Sequence, residues 1–317
     1  MTIYSAKDLY DNYQTHSEYR SNRDCFKTGF ENLDECFENS GSGLVLLGSR
    51  PAMGRMAFNL SLIVNRITTQ NDFTAVIFSS KCEPDMIFCR LASILSNVSI
   101  FNLNDDDLNE EETERVETAM EFLSERNIYL VDSQLTVQEI RNVMKSILAK
   151  AGIMDLVVID GLADILPEFM DGNTCADGQE FNIPIGSTHR MLSLKSDYYV
   201  DICGELSEMA KKTGCQVIAT VTLSRLVEMR DDHHPQLADL RNYDGRICEA
   251  ADIILLLYRD EYYHWDDDIC EGRLEINIAK NVTGQKGRVT LYFDKDTSGV
   301  TEMPSRFGGD KESDFPF

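Results

Sequence analysis

Six short apolar runs alternate with helix-length segments along most of the chain: Gly43–Gly48 (GLVLLG), Thr74–Ser79 (TAVIFS), Asn127–Asp132 (NIYLVD), Asp155–Asp160 (DLVVID), Gln216–Val221 (QVIATV) and Asp252–Tyr258 (DIILLLY). Runs that lack polar alternation suit strands buried on both faces. The helices between them must then cover the two sides of a mainly parallel sheet, so an α/β fold is expected. Near the end, Leu274–Lys280 (LEINIAK) and Arg288–Asp294 (RVTLYFD) flank a short glycine-containing turn and predict an antiparallel hairpin that closes the sheet. With 43% apolar and 26% charged residues among 317, the composition supports one compact domain with short appendages.

Charge and cysteine usage narrow the function classes. Asp and Glu outnumber Lys and Arg by 54 to 30, a formal charge of -24, so no broad basic footprint for nucleic acid exists and any such contact must be local. The longest apolar run falls far short of the ~20 residues of a membrane helix, and the first residues have neither the apolar core nor the basic flank of a secretory signal. Nine scattered cysteines without a CxxC pair suit a reducing compartment, so a cytoplasmic location is expected. The five histidines show no metal-ligand spacing.

Local patterns organise the rest. Ser5–Ser21 carries Ala6, Leu9, Tyr10 and Tyr13 at helical spacing and predicts a short amphipathic helix. Between Asp105 and Glu125 ten acidic residues accompany a single Arg115, while Val116, Ala119, Met120 and Leu123 keep a helical stripe; a solvated helix packed by that stripe is the simplest account. Residues 167–200 are rich in Gly and Asn without periodicity and are expected to be a mobile insertion.

The segment Gly48–Met56 (GSRPAMGRM) stands between the first strand and AFNLSLIVNRI, which makes strand, glycine-containing turn and helix in succession. A turn of this kind aims backbone N–H groups and a helix N-terminus at phosphate oxygens, so Arg50, Pro51, Met53, Gly54 and Arg55 are candidate nucleotide-binding residues. Two side chains usually complete it, a Lys on the β and γ phosphates and a Ser or Thr hydroxyl on magnesium. Those positions hold Arg55 and Met56. Arg keeps the charge but is longer and planar, and Met offers no oxygen to a metal. Taken alone, the turn serves equally well as a structural link.

Further motifs follow in order: RNIYLVDSQLTVQEIR from Arg126, LVVIDGLADI from Leu156, ELSEMAKKTG from Glu205, LADLRNYDGRICEAADIILLLYRDEYYH from Leu237 and IAKNVTG from Ile278. Together with SRPAMGR they resemble the C-terminal ATPase domain of the replicative DNA helicase family DnaB, over about residues 23–300. The resemblance implies a RecA-like P-loop NTPase fold and, in active members, a hexameric ring that hydrolyses ATP while moving along single-stranded DNA. It does not extend to the family's N-terminal collar domain. The implied organisation is a linker-like helix at 1–22, a RecA-like domain at 23–305 and an acidic flexible tail at 306–317.

Carried over position by position, the resemblance implies a depleted reaction centre. Lys81 stands where the family has the carboxylate that activates water, and a cation cannot take that proton. Thr222 stands in place of a γ-phosphate-sensing Gln, and Val282 in place of the arginine finger donated across a subunit boundary; Lys280 and Asp160 persist, Asp160 being the one acidic metal-site residue left. No intact catalytic set is implied. ATP or ADP would bind weakly through the loop and Lys280, and magnesium has only Asp160. In the metal's place, Lys81 or Arg55 is expected to pair directly with Asp160.

The family's channel loop corresponds to DLRNYDGR, so Arg241, Gly245 and Arg246 are the candidate contacts for single-stranded DNA, although Asp244 would repel phosphate and Arg241 could instead pair with Asp239 or Glu249. The segment GGDKESDFPF, with Asp314, Phe315, Pro316 and Phe317, resembles the acidic tip of bacterial single-stranded DNA-binding protein and is the candidate docking element for replication and repair proteins. Three functions compete: a non-hydrolysing DnaB-like assembly or adaptor protein, an active ATP-dependent hexameric helicase with divergent motifs, and a passive single-strand-binding ring. The substitutions at Arg55, Met56, Lys81, Thr222 and Val282 favour the first, and the net charge weighs against the third.

Overall fold

The computed structural model describes residues 26–37, 40–105, 107–167, 169–170, 174–175, 188–243, 245–264 and 270–304, with the side chains of 169–170, 174–175, 188–196 and 241–243 left aside. Its main sheet has nine strands: β1 (Gly43–Ser49), β2 (Thr74–Phe78), β3 (Asn127–Val131), β4 (Leu156–Ile159), β5 (Gln216–Thr222), β6 (Ile253–Tyr258), β7 (Arg273–Asn281), β8 (Gly287–Asp294) and β9 (Gly299–Thr301). Their spatial order is β9-β8-β7-β6-β1-β5-β4-β2-β3. The run from β6 to β3 is parallel throughout, and β7, β8 and β9 add an antiparallel wing. All six apolar runs are strands and the expected hairpin is β7–β8, so the RecA-like arrangement of a parallel sheet with a closing hairpin is present.

The described helices longer than one turn are α1 (Arg55–Thr69), α2 (Pro84–Ser96), α3 (Ile100–Asp105), α4 (Glu110–Ser124), α5 (Val137–Ala151) and α6 (Thr188–Thr213). They sort onto the two faces of the sheet by their apolar stripes. Phe58, Leu62 and Ile63 of α1, Leu91 of α2 and Leu123 of α4 join Val45, Leu47, Ile77 and Ile218 in one core layer. Ile140, Met144 and Ile147 of α5 and Ile202, Leu206 and Met209 of α6 join Leu44, Leu46, Val217 and Ala219 in the other. Burying a side chain of this size is worth about 1.5–3 kcal/mol, which is why the alternation of helix and strand dictates the layers.

Local signals fix the helix ends. Asn109 with Glu112, and Thr136 with Glu139, form reciprocal capping boxes at the starts of α4 and α5, and Gly152 ends α5 at φ +79°. The acidic helix packs as expected, with Val116, Ala119 and Leu123 buried and Met120 against the core. Residues 167–200 depart from expectation. From Thr188 onward they are the first half of the 26-residue α6, and a two-residue ladder joins Phe169–Met170 to Thr174–Cys175. The helix is not legible there because tertiary packing overrides a weak local pattern. The segment Ser5–Ser21 and the tail from 306 lie outside the described residues.

Candidate phosphate-loop site

The parallel strands bring their C-terminal ends to one edge of the sheet, where Ser49 is in register with Thr222 and Ile159 with Ala219. The loop Arg50–Gly54 leaves β1 there and turns into α1. Gly54, at φ +90°, occupies the N-cap of α1, where a side chain would be strained and would press on the Phe293 ring at 3.4 Å. Ala52 also takes a left-handed conformation, φ +66°. The N–H groups of the first turn of α1 have no intrahelical acceptor, and this is the part of the loop suited to phosphate.

The side chains around the loop are held internally. Arg50 donates from Nε to Glu228 Oε1 at 2.8 Å and from Nη1 to the Leu223 carbonyl at 2.8 Å. Arg55 donates from Nη1 to the Val221 carbonyl at 2.5 Å and to Thr222 Oγ1 at 3.0 Å, across the end of β5. Met53 is buried, and Met56 is half-buried against the core under α1. Arg259, just after β6, reaches the Ala52 carbonyl at 3.3 Å, stacks over Phe293 at 3.7 Å and pairs with Glu261. Burial works to raise the Glu261 carboxyl, but Arg259, the Gly272 amide and Lys295 outweigh it and hold that carboxyl below the usual glutamate range.

Asp160, just past β4, is gripped from both sides by hydroxyls. Ser79 donates to Oδ2 at 3.2 Å and Thr220 to Oδ1 at 3.1 Å. The expected ion pair from Lys81 or Arg55 to Asp160 is not what the structure holds: among the described residues Asp160 is in no ion pair, and Lys81 pairs with Asp164 at 2.5 Å instead. The reason lies in the turn after β4. Gly161, at φ +110°, folds the short helical turn Leu162–Asp164 back so tightly that a Cβ on it would meet Asp164 Oδ2, and Asp164 is thereby presented to Lys81.

Side chains alternate along a strand, so Thr220 and Thr222 share the face of β5 that α1 covers, as Ile218 does. Ser79, Asp160, Thr220 and Thr222 thus form one polar row across β2, β4 and β5 beside the start of α1. Sequence reasoning misses Ser79, Thr220, Asp164 and Glu228. For Thr220 the two-residue step from Thr222 is an available signal; for Ser79, Asp164 and Glu228 there is none.

A magnesium ion beside nucleotide phosphates takes hard oxygen ligands in octahedral geometry. Met56 supplies no oxygen, and both oxygens of Asp160 already accept a hydroxyl. The residues present do not fit that ion. Among all described residues, no group of three or more His, Cys, Asp or Glu is arranged to hold a metal.

Other candidates lie elsewhere. Lys280 and Val282 are at the end of β7, which pairs antiparallel with β6 so that Ile254 faces Lys280. They therefore sit at the opposite edge of the sheet from the loop, about a strand length or ~17 Å away. Within one chain Lys280 is not brought to the loop. Its Nζ donates to the carbonyls of Cys248, Glu249 and Ala251 at 2.6, 3.3 and 2.5 Å, and Val282 is 62% exposed. Arg246 pairs with Asp197 of α6 at 2.5 Å, and Gly245 is exposed with open space where a Cβ would stand. The Arg241 side chain, Asp244 and Asp314–Phe317 lie outside the described residues. Asp239 is held by both terminal nitrogens of Arg230, at 2.9 and 2.6 Å, and this hydrogen-bonded carboxylate raises the Arg230 pKa.

Comparison with known proteins gives this geometry a family. Residues 25–302 match the model of the DnaB-like helicase C terminal domain. Among curated proteins the chain is similar to replicative DNA helicase DnaC of Bacillus subtilis, 28% identical over 300 residues that cover 94% of this chain and 61% of that protein. It is similar to replicative DNA helicase DnaB of Geobacillus stearothermophilus, 29% identical with 96% and 63% covered, and to DnaB of Buchnera aphidicola, 31% identical with 84% and 53% covered. The chain thus spans less than two thirds of the length of these relatives. Among solved structures, an ATPase domain determined on its own superposes with a TM-score of 0.77 at 25% identity, covering 96% of this chain and 100% of that one. A DnaB-like replicative helicase, solved in a study of its interactions with primase, has the same fold, with a TM-score of 0.76 at 24% identity and 96% and 68% covered. The strand order, the phosphate-loop turn and a family match over nearly the whole described chain lead to one conclusion: the chain belongs to the DnaB-like helicase C-terminal domain family.

Proposed function

We propose that this chain serves DNA replication or repair as a DnaB-like assembly or adaptor domain that does not hydrolyse ATP. The observation that carries the reading is Lys81: the position where the family resemblance implies a water-activating carboxylate holds a cation, engaged with Asp164 at 2.5 Å. A protonated ammonium has no lone pair with which to accept the proton of an attacking water. Arg55, Met56, Thr222 and Val282 point the same way, because each lacks the group that phosphoryl transfer uses at its position. The replication setting rests on relatives named replicative DNA helicases, and a self-associating, ring-like assembly follows from the family resemblance. Contact with primase is inferred from the structural neighbour solved for that interaction. Single-stranded DNA would meet Gly245 and Arg246, and Asp314–Phe317 would dock partner proteins.

The test is phosphate release from Mg-ATP with and without single-stranded DNA. No release above background is expected. Turnover in the ~1 to 10³ s⁻¹ range typical of enzymes, abolished by Asp160→Asn, would replace this reading with that of an active helicase.

A further inference from the structure

Resting on that reading, and deepening it at the same loop, we propose that the phosphate loop takes a metal-free nucleoside diphosphate in preference to a triphosphate. The polar row beside α1 is built to be complete without a divalent ion. In a magnesium-dependent site, a loop hydroxyl ligates the ion and a strand-end carboxylate anchors it, and the ion offsets the charge of the terminal phosphate. Here the loop position is Met56, which is drawn against the core, and the carboxylate Asp160 is satisfied by the hydroxyls of Ser79 and Thr220 at 3.2 and 3.1 Å.

Two hydroxyl donors stabilise Asp160 without adding positive charge. The carboxylate therefore remains an anion on the α1 side of the sheet, just where a nucleotide would extend a third phosphate past the loop. Without a cation between them, two anions in a partly buried cleft repel, and that repulsion falls on the terminal phosphate of a triphosphate more than on a diphosphate held by the first turn of α1. The nearby cations do not remove the conflict. Lys81 is engaged with Asp164, and Arg50 with Glu228 and the Leu223 carbonyl. Arg55 reaches across to Val221 and Thr222 at the end of β5, the next strand beyond β4, and can meet the inner phosphates from there.

Titration calorimetry of the intact chain with ADP and with ATP, each in EDTA and in magnesium, tests the proposal. ADP is expected to bind with the same affinity, within about twofold, in both buffers, and ATP in EDTA to bind about tenfold more weakly than ADP, the equivalent of ~1.4 kcal/mol. In Asp160→Asn, which keeps the shape and removes the charge, that ratio should fall below about threefold. ADP binding that requires magnesium, ATP binding at least as tightly as ADP in EDTA, a ratio unchanged in Asp160→Asn, or no ADP binding by the folded chain would each overturn the inference. Phosphate release measured on the same samples judges the non-hydrolysing reading separately: release would defeat that reading, whereas magnesium-dependent ADP binding without release would defeat only this inference.

Discussion

Two clusters of charge flank the phosphate loop, and they are held in opposite ways. At the end of β6, Arg259 and Lys295 close on the buried Glu261, which also accepts the Gly272 amide, under the cover of the β8 wing. At the end of β4, Asp160 is held by the neutral hydroxyls of Ser79 and Thr220. The first arrangement neutralises charge and ties β6 to the hairpin; the second leaves a charge in place beside the loop. The contrast separates a stability device from a ligand-selecting one, and each can be perturbed alone.

The largest effect should come from breaking the first cluster. Glu261→Gln is expected to destabilise the fold by about 3 kcal/mol in chemical denaturation, because it strands two cations beside a buried amide. Its pH dependence sharpens the point. The folded-state pKa of Glu261 is depressed, so its contribution is complete above the unfolded value near ~4.3 and fades as pH falls through the folded one. The stability gap between wild type and Glu261→Gln should therefore shrink below about pH 4.5.

Next in size is the opposite edge. Lys280→Met removes three charge-assisted bonds to the segment that carries the channel loop, and a loss of about 2 kcal/mol is expected, with faster amide exchange at residues 247–251. Unchanged exchange there would show that Lys280 is not the clasp.

Thr220→Val breaks the second cluster. The site is buried, and one carboxylate oxygen loses its donor, so a loss of about 1–2 kcal/mol is expected in chemical denaturation. A variant as stable as wild type would mean that water takes over the role of the hydroxyl. Lys81→Ala is the smallest perturbation. Lys81 is 63% exposed, and an ion pair so open to water contributes less than ~1 kcal/mol. A loss larger than that would mean that the Lys81–Asp164 pair organises the turn after Gly161.

Legibility follows the range of the interaction. The six core strands, the hairpin and the acidic helix are readable because their burial is written as local periodicity, as in IILLLY or in the Val116, Ala119, Leu123 stripe. The phosphate-loop turn is readable because Gly54 and its flanking strand and helix are contiguous. The start of α6 at Thr188 is not, since Gly and Asn upstream mask a helix whose later turns pack on β1 and β5.

By itself the sequence determined the layers, the segments that become core strands and the chemistry available at each strand end, since apolar period and residue type are local properties. Only the tertiary structure decided which partner each strand-end charge takes. Asp160 meets Ser79 and Thr220 from 81 and 60 residues away, Lys81 is turned to Asp164 by the backbone of Gly161, and Lys280 is carried to the far edge by the antiparallel return of β7. Such choices depend on strand order and register, which arise when the whole sheet packs and leave no trace in any short stretch of chain.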